Sequence, residues 1–152
     1  MAQSLAKVVV HLVFSTKRRT PWLGDRELRT QLYAYMATIL QDCVDSPALI
    51  INGVEDHVHV LMLLSRKHAL MDIVKEAKTE TSKWVKKLAA GHAEFTWQGG
   101  YGVFSVSESN VAQVRRYIEN QEEHHRTMSF QDEFRELCRR HEIQLDERYA
   151  WD

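Results

Sequence analysis

Two histidines, His57 and His59, flank a single valine inside an apolar run from Val54 to Leu64. This alternation constrains the fold more than any other feature of the sequence. In a β-strand successive side chains point to opposite faces, so both imidazoles would share one face with Leu61. Two neutral imidazoles side by side form half of a metal site. The run therefore predicts a strand with two candidate metal ligands on one face.

The composition limits the class of protein. The 152 residues, 44% of them hydrophobic, suit one compact domain, which we expect to span residues 1–152. The formal net charge of −1 gives no general attraction to nucleic acid, so DNA binding would need local basic patches. Two cysteines, Cys43 and Cys138, make neither a disulfide framework nor a thiolate zinc site. With no apolar run of roughly 18 residues, we expect a soluble, cytoplasmic protein without membrane contacts.

Hydrophobic periodicity predicts four strands and two long helices in the order β, α, β, β, α, β. We expect strands at about 7–15, 48–52, 57–64 and 103–106, and long helices at about 25–43 and 70–89. Two further helices are expected at about 111–125 and 130–141. This order predicts an α+β sandwich of ferredoxin-like or RRM-like type, in which helices pack on an antiparallel sheet and extra helices follow at the C-terminus.

Tyr117, in the third predicted helix, is a candidate nucleophile. A phenol with a pKa of about 10 reacts poorly at neutral pH unless a metal ion, a base or an aligned phosphate activates it. Gln121 follows four residues later and shares one helix face with Tyr117. Its neutral amide oxygen would leave the ion its full Lewis acidity toward a phosphate, which favours Mg²⁺ or Mn²⁺ over structural zinc. Glu122 and Glu123 are alternative ligands on other parts of the helix.

Spacing alone leaves structural roles open for these residues. Strand histidines can be hydrogen-bonded polar residues at a sheet end, and a helical tyrosine is often a core or interface aromatic. We expect a structural, hydrogen-bonded role for His11. His124 and His125 would favour the negative end of a helix dipole. Asp56 is either a partner that orients a ligating histidine or a turn former.

Two basic groups and one aromatic segment are candidates for DNA contacts. Neutralisation of phosphates supplies most of the affinity that does not depend on sequence. Unpaired bases can stack on exposed aromatic rings. Solvated charge and ordinary packing are the alternatives. The candidates are a basic turn, a lysine-bearing helix face and two aromatic residues: Lys17, Arg18, Arg19, Lys75, Lys78, Lys86, Trp97 and Tyr101.

Four motifs give the chain a family resemblance. They are HLVFSTK at 11–17, DHVH at 56–59, WQGGYGVFSVS at 97–107 and YIENQEEHH at 117–125. In this order, over about residues 7–145, the chain resembles the HUH single-tyrosine transposases of the IS200-like type, small enzymes of bacterial and archaeal insertion sequences that move as single-stranded DNA. The resemblance implies a strand-transfer activity on single-stranded DNA.

The resemblance also implies roles for particular residues. His57, His59 and Gln121 would bind the metal, and Tyr117 would attack a phosphate of single-stranded DNA to give a 5′-phosphotyrosine and a free 3′-OH. The protein would act as a homodimer and recognise imperfect hairpins near the element ends. The tyrosine helix of one subunit could then serve the histidine pair of the other.

Three rival functions remain. A domesticated relative would act on dispersed palindromic repeats of its host, and its gene would lack flanking hairpins and further copies. A non-enzymatic ferredoxin-like module would bind RNA or structured DNA through its sheet, and would not need two histidines, a tyrosine and a glutamine together. A metallonuclease that activates water would cleave without the tyrosine.

Overall fold

A four-stranded antiparallel sheet forms the centre of the molecule in the computed structural model, which describes residues 2–152; Met1, part of the expected domain, lies outside the described residues. The strands are β1 (Val9–Ser15), β2 (Ala48–Gly53), β3 (His57–Leu63) and β4 (Gly102–Val106). Their order across the sheet is β2-β3-β1-β4, and every neighbouring pair is antiparallel. The predicted α+β class is therefore confirmed.

Two long helices cover one face of the sheet. Helix α1 (Arg26–Asp42) links β1 to β2, and α2 (Leu70–Leu88) links β3 to β4. The Asp25 carboxylate accepts a hydrogen bond from the backbone N–H of Glu27 at 2.9 Å and so caps the start of α1. Within residues 2–152, no helix is both long enough and apolar enough to cross a membrane.

Three shorter α-helices follow β4 and bring the C-terminal part of the chain to the opposite face. They are α3 (Val111–Glu119), α4 (Gln121–His124) and α5 (Phe130–Arg140). Ile118 of α3 packs against Leu61 on this face. Phe130 and Phe134 of α5 cluster with Val13.

The third predicted helix is interrupted at Asn120, where the backbone leaves the helical region (φ −96°, ψ 23°). The side-chain amide of Asn52, on β2, donates to the carbonyls of Ile118 at 2.9 Å and Glu119 at 3.2 Å. These carbonyls would otherwise lack partners at a helix end. The expectation of one helix over 111–125 is therefore wrong. The side chain of Asn52 binds the last carbonyls of α3, and a separate helix, α4, begins at Gln121.

Candidate active site

The register of β1 and β3 positions the two strand histidines. His57 pairs with Ser15 and His59 with Val13, so both imidazoles lie on the face opposite to Val58. Both residues are fully buried. A buried imidazole requires hydrogen-bond partners, and here each ring nitrogen has one.

Three histidines have their Nδ1 atoms held by nearby groups. His57 Nδ1 lies 2.7 Å from Asp56 Oδ1, His59 Nδ1 lies 2.8 Å from His11 Nε2, and His125 Nδ1 lies 2.6 Å from the Met128 carbonyl. Histidines that bind metals commonly have such a partner on the nitrogen that faces away from the ion. The three Nε2 atoms point to one place.

Glu133 of α5 lies where these rings converge. Its Oε1 lies 2.9 Å from Nε2 of His59, 3.0 Å from Nε2 of His125 and 3.2 Å from Nε2 of His57. Its Oε2 accepts hydrogen bonds from the Tyr117 hydroxyl and, at 3.2 Å, from the Gln121 amide. The carboxylate is buried. A single acidic side chain therefore connects the proposed nucleophile with the histidines.

Glu133 was not among the candidates from the sequence. The helix that carries it also buries Phe130, Phe134 and Leu137. Glu133 is three residues after the first of these and four before the last, so it belongs to the apolar stripe of the helix. An acidic residue in such a stripe is the signal that could have identified it.

The ionisation of the centre follows from its contacts. Burial opposes charge on His57, but hydrogen bonds to Asp56 and Glu133 outweigh it and raise the pKa of His57 to about 9. Burial alone would raise the pKa of Glu133, but His59, His125 and His57 hold it well below its ordinary value. Burial lowers the pKa of His59, and lowers that of His11 to about 3. At neutral pH the centre thus contains an ionised Glu133 and a protonated His57.

Tyr117 is half-buried, and its hydroxyl also lies 3.4 Å from His124 Nε2. Burial and the adjacent Glu133 carboxylate raise the pKa of Tyr117 well above its ordinary value. The phenolate is therefore suppressed in this arrangement. A cation next to Glu133 would offset the carboxylate charge and favour the phenolate.

The donor atoms of this centre fit a divalent metal ion. One ligand atom from each of His57, His59, His125 and Glu133 lies within 4.8 Å of the others. The amide oxygen of Gln121 lies 3.3 Å from His57 Nε2 and can add an oxygen donor. Imidazole nitrogens suit transition-metal ions, and carboxylate and amide oxygens suit both Mn²⁺ and Mg²⁺.

The alternative acidic ligands point away from the centre. Glu122 forms ion pairs with Arg26 at 2.6 Å and with Arg29 at 3.1 Å. Glu123 pairs with Arg126 at 3.1 Å and is exposed. Both acids therefore lie outside the cluster of His57, His59, His125 and Glu133.

Other expectations near the centre need adjustment. His11 has the structural, hydrogen-bonded role that was expected, through His59. Asp56 combines both of its proposed roles, since its carboxylate contacts His57 and the residue lies in the bend between β2 and β3. His125 is part of the cluster, so its expected role at a helix end was too narrow.

Two of the candidate DNA contacts, Trp97 and Lys78, have hydrogen-bond partners within the protein. Trp97 is only 6% exposed and its indole N–H donates to Thr81 Oγ1 at 3.0 Å, so its ring is not available to a base. Lys78 donates to the carbonyls of Gln98 at 2.9 Å and Gly100 at 2.6 Å, and burial lowers its pKa to about 8. Its ammonium group holds the backbone at Gln98 and Gly100 and is not a free surface charge.

The remaining candidates stay accessible. Tyr101 is 36% exposed. Four basic side chains are exposed and a fifth is half-buried: Lys17, Arg18, Lys75 and Lys86, with Arg19 half-buried. They remain predictions.

The family described as "Transposase IS200 like" has a sequence model that matches residues 4–121. The ISDra2 transposase TnpA of Deinococcus radiodurans is 32% identical over 74 residues, which cover 43% of this chain and 51% of that protein. The chain thus matches about half the length of this relative. His125 and Glu133 lie beyond the residues that the family model matches.

Two solved structures are similar in fold. One is a crystal structure of a protein from Deinococcus radiodurans assigned as a transposase, with a TM-score of 0.57 and 26% identity over 80% of this chain and 95% of that chain. The other is a REP-associated tyrosine transposase bound to a REP hairpin, with a TM-score of 0.54 and 10% identity over 80% of this chain and 68% of that chain. The second similarity concerns the fold alone.

Proposed function

The chain belongs to the IS200-like transposase family, and we propose that it cleaves and rejoins single-stranded DNA through Tyr117 with the assistance of a divalent metal ion. One observation carries this proposal: the Tyr117 hydroxyl, the Gln121 amide and three imidazoles all contact the buried Glu133 carboxylate. A purely structural domain gains little from so many buried polar groups, because their burial is costly unless every one is satisfied.

His57, His59 and Gln121 are the proposed metal ligands, and Glu133 and His125 complete the set. When bound, the ion polarises a phosphate oxygen as a Lewis acid. Three imidazole nitrogens beside two oxygens favour Mn²⁺ over Mg²⁺, because Mg²⁺ prefers oxygen ligands and retains water. Asp56 and His11 hold the rings of His57 and His59 in the orientation that ligation requires.

In the proposed reaction Tyr117 Oη attacks the phosphorus of a phosphodiester. A new bond forms between Oη and phosphorus, and the bond from phosphorus to the 3′ oxygen breaks. The phenol loses one proton and the departing 3′ oxygen gains one, so no further reactant is needed. The product is a 5′-phosphotyrosine, from which a 3′-OH can displace the tyrosine and restore a phosphodiester bond.

The decisive experiment is to incubate the protein and Mn²⁺ with single-stranded DNA from both flanks of its own gene, and to look for a covalent adduct on a denaturing gel. Tyr117→Phe should retain fold and hairpin binding but form no adduct, because it removes only the attacking oxygen. Tyr101→Phe is the matched control and should form the adduct normally. Undiminished cleavage by Tyr117→Phe would instead establish a nuclease that uses water.

We further propose that this site assembles within one chain. Tyr117 already reaches its own histidines, with the ring centroids of Tyr117 and His59 at 5.9 Å. The expected homodimer remains a proposal. To test whether each site assembles within one chain, Tyr117→Phe is mixed with the double variant His57→Ala, His59→Ala. Recovered cleavage would establish sites shared between subunits, and no recovery is expected for sites within one chain.

Hairpin recognition and mobility also remain proposals. Electrophoretic shifts with hairpin and linear DNA of equal length test the first. Copies of the gene between hairpin-flanked ends would indicate a mobile element. A single copy beside dispersed host palindromes would favour the domesticated relative.

A further inference from the structure

A cavity of about 240 Å³ opens onto Tyr117. It lies between β4, α3 and the end of α5, and His11 of the active-site network also lines it. Its volume is below the roughly 300–1,000 Å³ of pockets for drug-sized ligands. The cavity therefore suits a single ring system beside the nucleophile.

The walls of the cavity combine flat apolar surface with hydrogen-bonding groups. Phe104 and Val114 contribute apolar wall. His141 stacks on Phe104 with ring centroids 4.7 Å apart. Gln113, whose side-chain amide can both donate and accept, also lines the cavity. Enzymes that act on single-stranded nucleic acid read a base in a pocket of this kind, by stacking and by hydrogen bonds to its edge.

Arg140 supplies a positive charge at this cavity. Its partner is Glu136 at 3.1 Å, in an exposed pair that is worth little in water, so the guanidinium is available to an anion. Its charge favours the ionised form of Tyr117, although burial and Glu133 dominate the pKa of that phenol. A phosphate held near Tyr117 would therefore lie within reach of Arg140.

We propose that this cavity binds the nucleobase immediately 3′ of the cut, on the nucleotide whose phosphate becomes joined to Tyr117. The inference rests on the proposed strand-transfer function. In an in-line attack the 3′ oxygen leaves on the side of phosphorus opposite to Tyr117, while the nucleoside attached through its 5′ oxygen stays with the tyrosine. A cavity lined by Tyr117 is thus placed for the retained nucleoside, which it holds until rejoining.

The test measures the single-turnover rate of adduct formation after the cut has been mapped. Oligonucleotides carry each of the four bases, or an abasic sugar, immediately 3′ of the cut. The abasic substitution should slow the reaction about ten-fold, or about 1.4 kcal/mol, within the range for stacking of one base. An abasic sugar two nucleotides away on the 5′ side is the substrate control and should have a smaller effect.

The protein side of the test uses Gln113→Ala and His141→Ala, whose side chains are exposed at the cavity rim. In each variant the abasic penalty should shrink, because the removed side chain no longer distinguishes a base from its absence. Gln31→Ala and His68→Ala, exposed and remote, are the matched controls and should keep the full penalty.

Two results would overturn the inference while the proposed function stands: an adduct that forms equally fast with the abasic oligonucleotide, or a penalty unchanged in both rim variants. Failure of the wild-type protein to form an adduct with any flanking DNA would overturn both proposals. The two failures are therefore distinguishable.

Discussion

The two faces of the central sheet bury very different chemistry. The face toward α1 and α2 is an apolar core that includes Leu12, Phe14 and Val58. The opposite face buries His57 and His59 together with polar side chains from the C-terminal helices. Because side chains alternate along a strand, β3 contributes to both faces with consecutive residues. One strand can therefore stabilise the fold and position the site.

The two faces of the sheet differ in what the burial of their side chains requires. Apolar side chains gain about 25 cal/mol per Å² removed from water and need no particular partner. Each buried polar group needs a partner or loses free energy. On the polar face Glu133 supplies that partner for three imidazoles, an amide and a phenol. The apolar face tolerates repacking, whereas the polar face depends on single atoms.

The largest expected effect is on catalysis. His57→Ala and His59→Ala should each abolish cleavage but leave DNA retention largely intact, because phosphate contacts supply most of the affinity. Val58→Ala, between them on the apolar face, should keep its cleavage activity and lose stability instead. Gel assays for cleavage and filter binding for retention check both. Chelation of the wild type should reproduce the histidine variants, and normal cleavage in the presence of chelator would contradict the metal proposal.

On the apolar face the expected effect is on stability. Leu12 is fully buried between the sheet and the long helices. Leu12→Ala should lower the free energy of unfolding by about 2–5 kcal/mol through lost burial and a residual cavity. Urea denaturation measures it. If Leu12→Ala lowers the affinity for Mn²⁺, measured at 15 °C, as much as His59→Ala does, then the apolar face also controls the metal site and the two faces do not act separately.

The same difference explains which features the sequence predicts. The alternation in β3 and the helical periodicity of α1 and α2 are local, so the order of these elements along the chain and the shared face of His57 and His59 follow from them. Glu133 and His125 acquire their roles only when α5 packs against the sheet. The break at Asn120 depends on Asn52, far away in the chain. The sequence left Trp97 open between base stacking and ordinary packing, because burial in its loop has no periodic signature.

The next effect concerns pH. His57 has a pKa of about 9 in the folded protein, against 6.5 ordinarily. Its protonation therefore stabilises the metal-free protein fully below pH 6.5, and this stabilisation disappears as the pH rises from 6.5 to 9. The loss amounts to at most about 3 kcal/mol. Urea denaturation in the presence of chelator should show the decline.

His57→Asn provides the comparison in the same buffers and should flatten this pH profile. Lys78, with a lowered pKa of about 8, acts in the opposite direction above that pH and is present in both proteins, so its contribution cancels in the difference between them. An unchanged slope in His57→Asn would contradict the proposed protonation. Mn²⁺ should oppose the decline, because ligation displaces the proton and strengthens with pH.

The smallest expected effect is on the affinity for Mn²⁺. It shows whether Glu133 is a ligand of the ion or only a hydrogen-bond partner of the histidines. Glu133→Gln retains the shape and a hydrogen-bonding group but removes the negative charge. If Glu133 is a ligand, calorimetry should show Mn²⁺ affinity lower by at least about ten-fold, since even the loss of a partner of a ligand costs 10–100-fold. Glu136→Gln, three residues later on α5 and paired with exposed arginines, is the matched control and should bind Mn²⁺ normally. Unchanged affinity in Glu133→Gln would exclude the carboxylate as a ligand and leave it as the group that orients Tyr117.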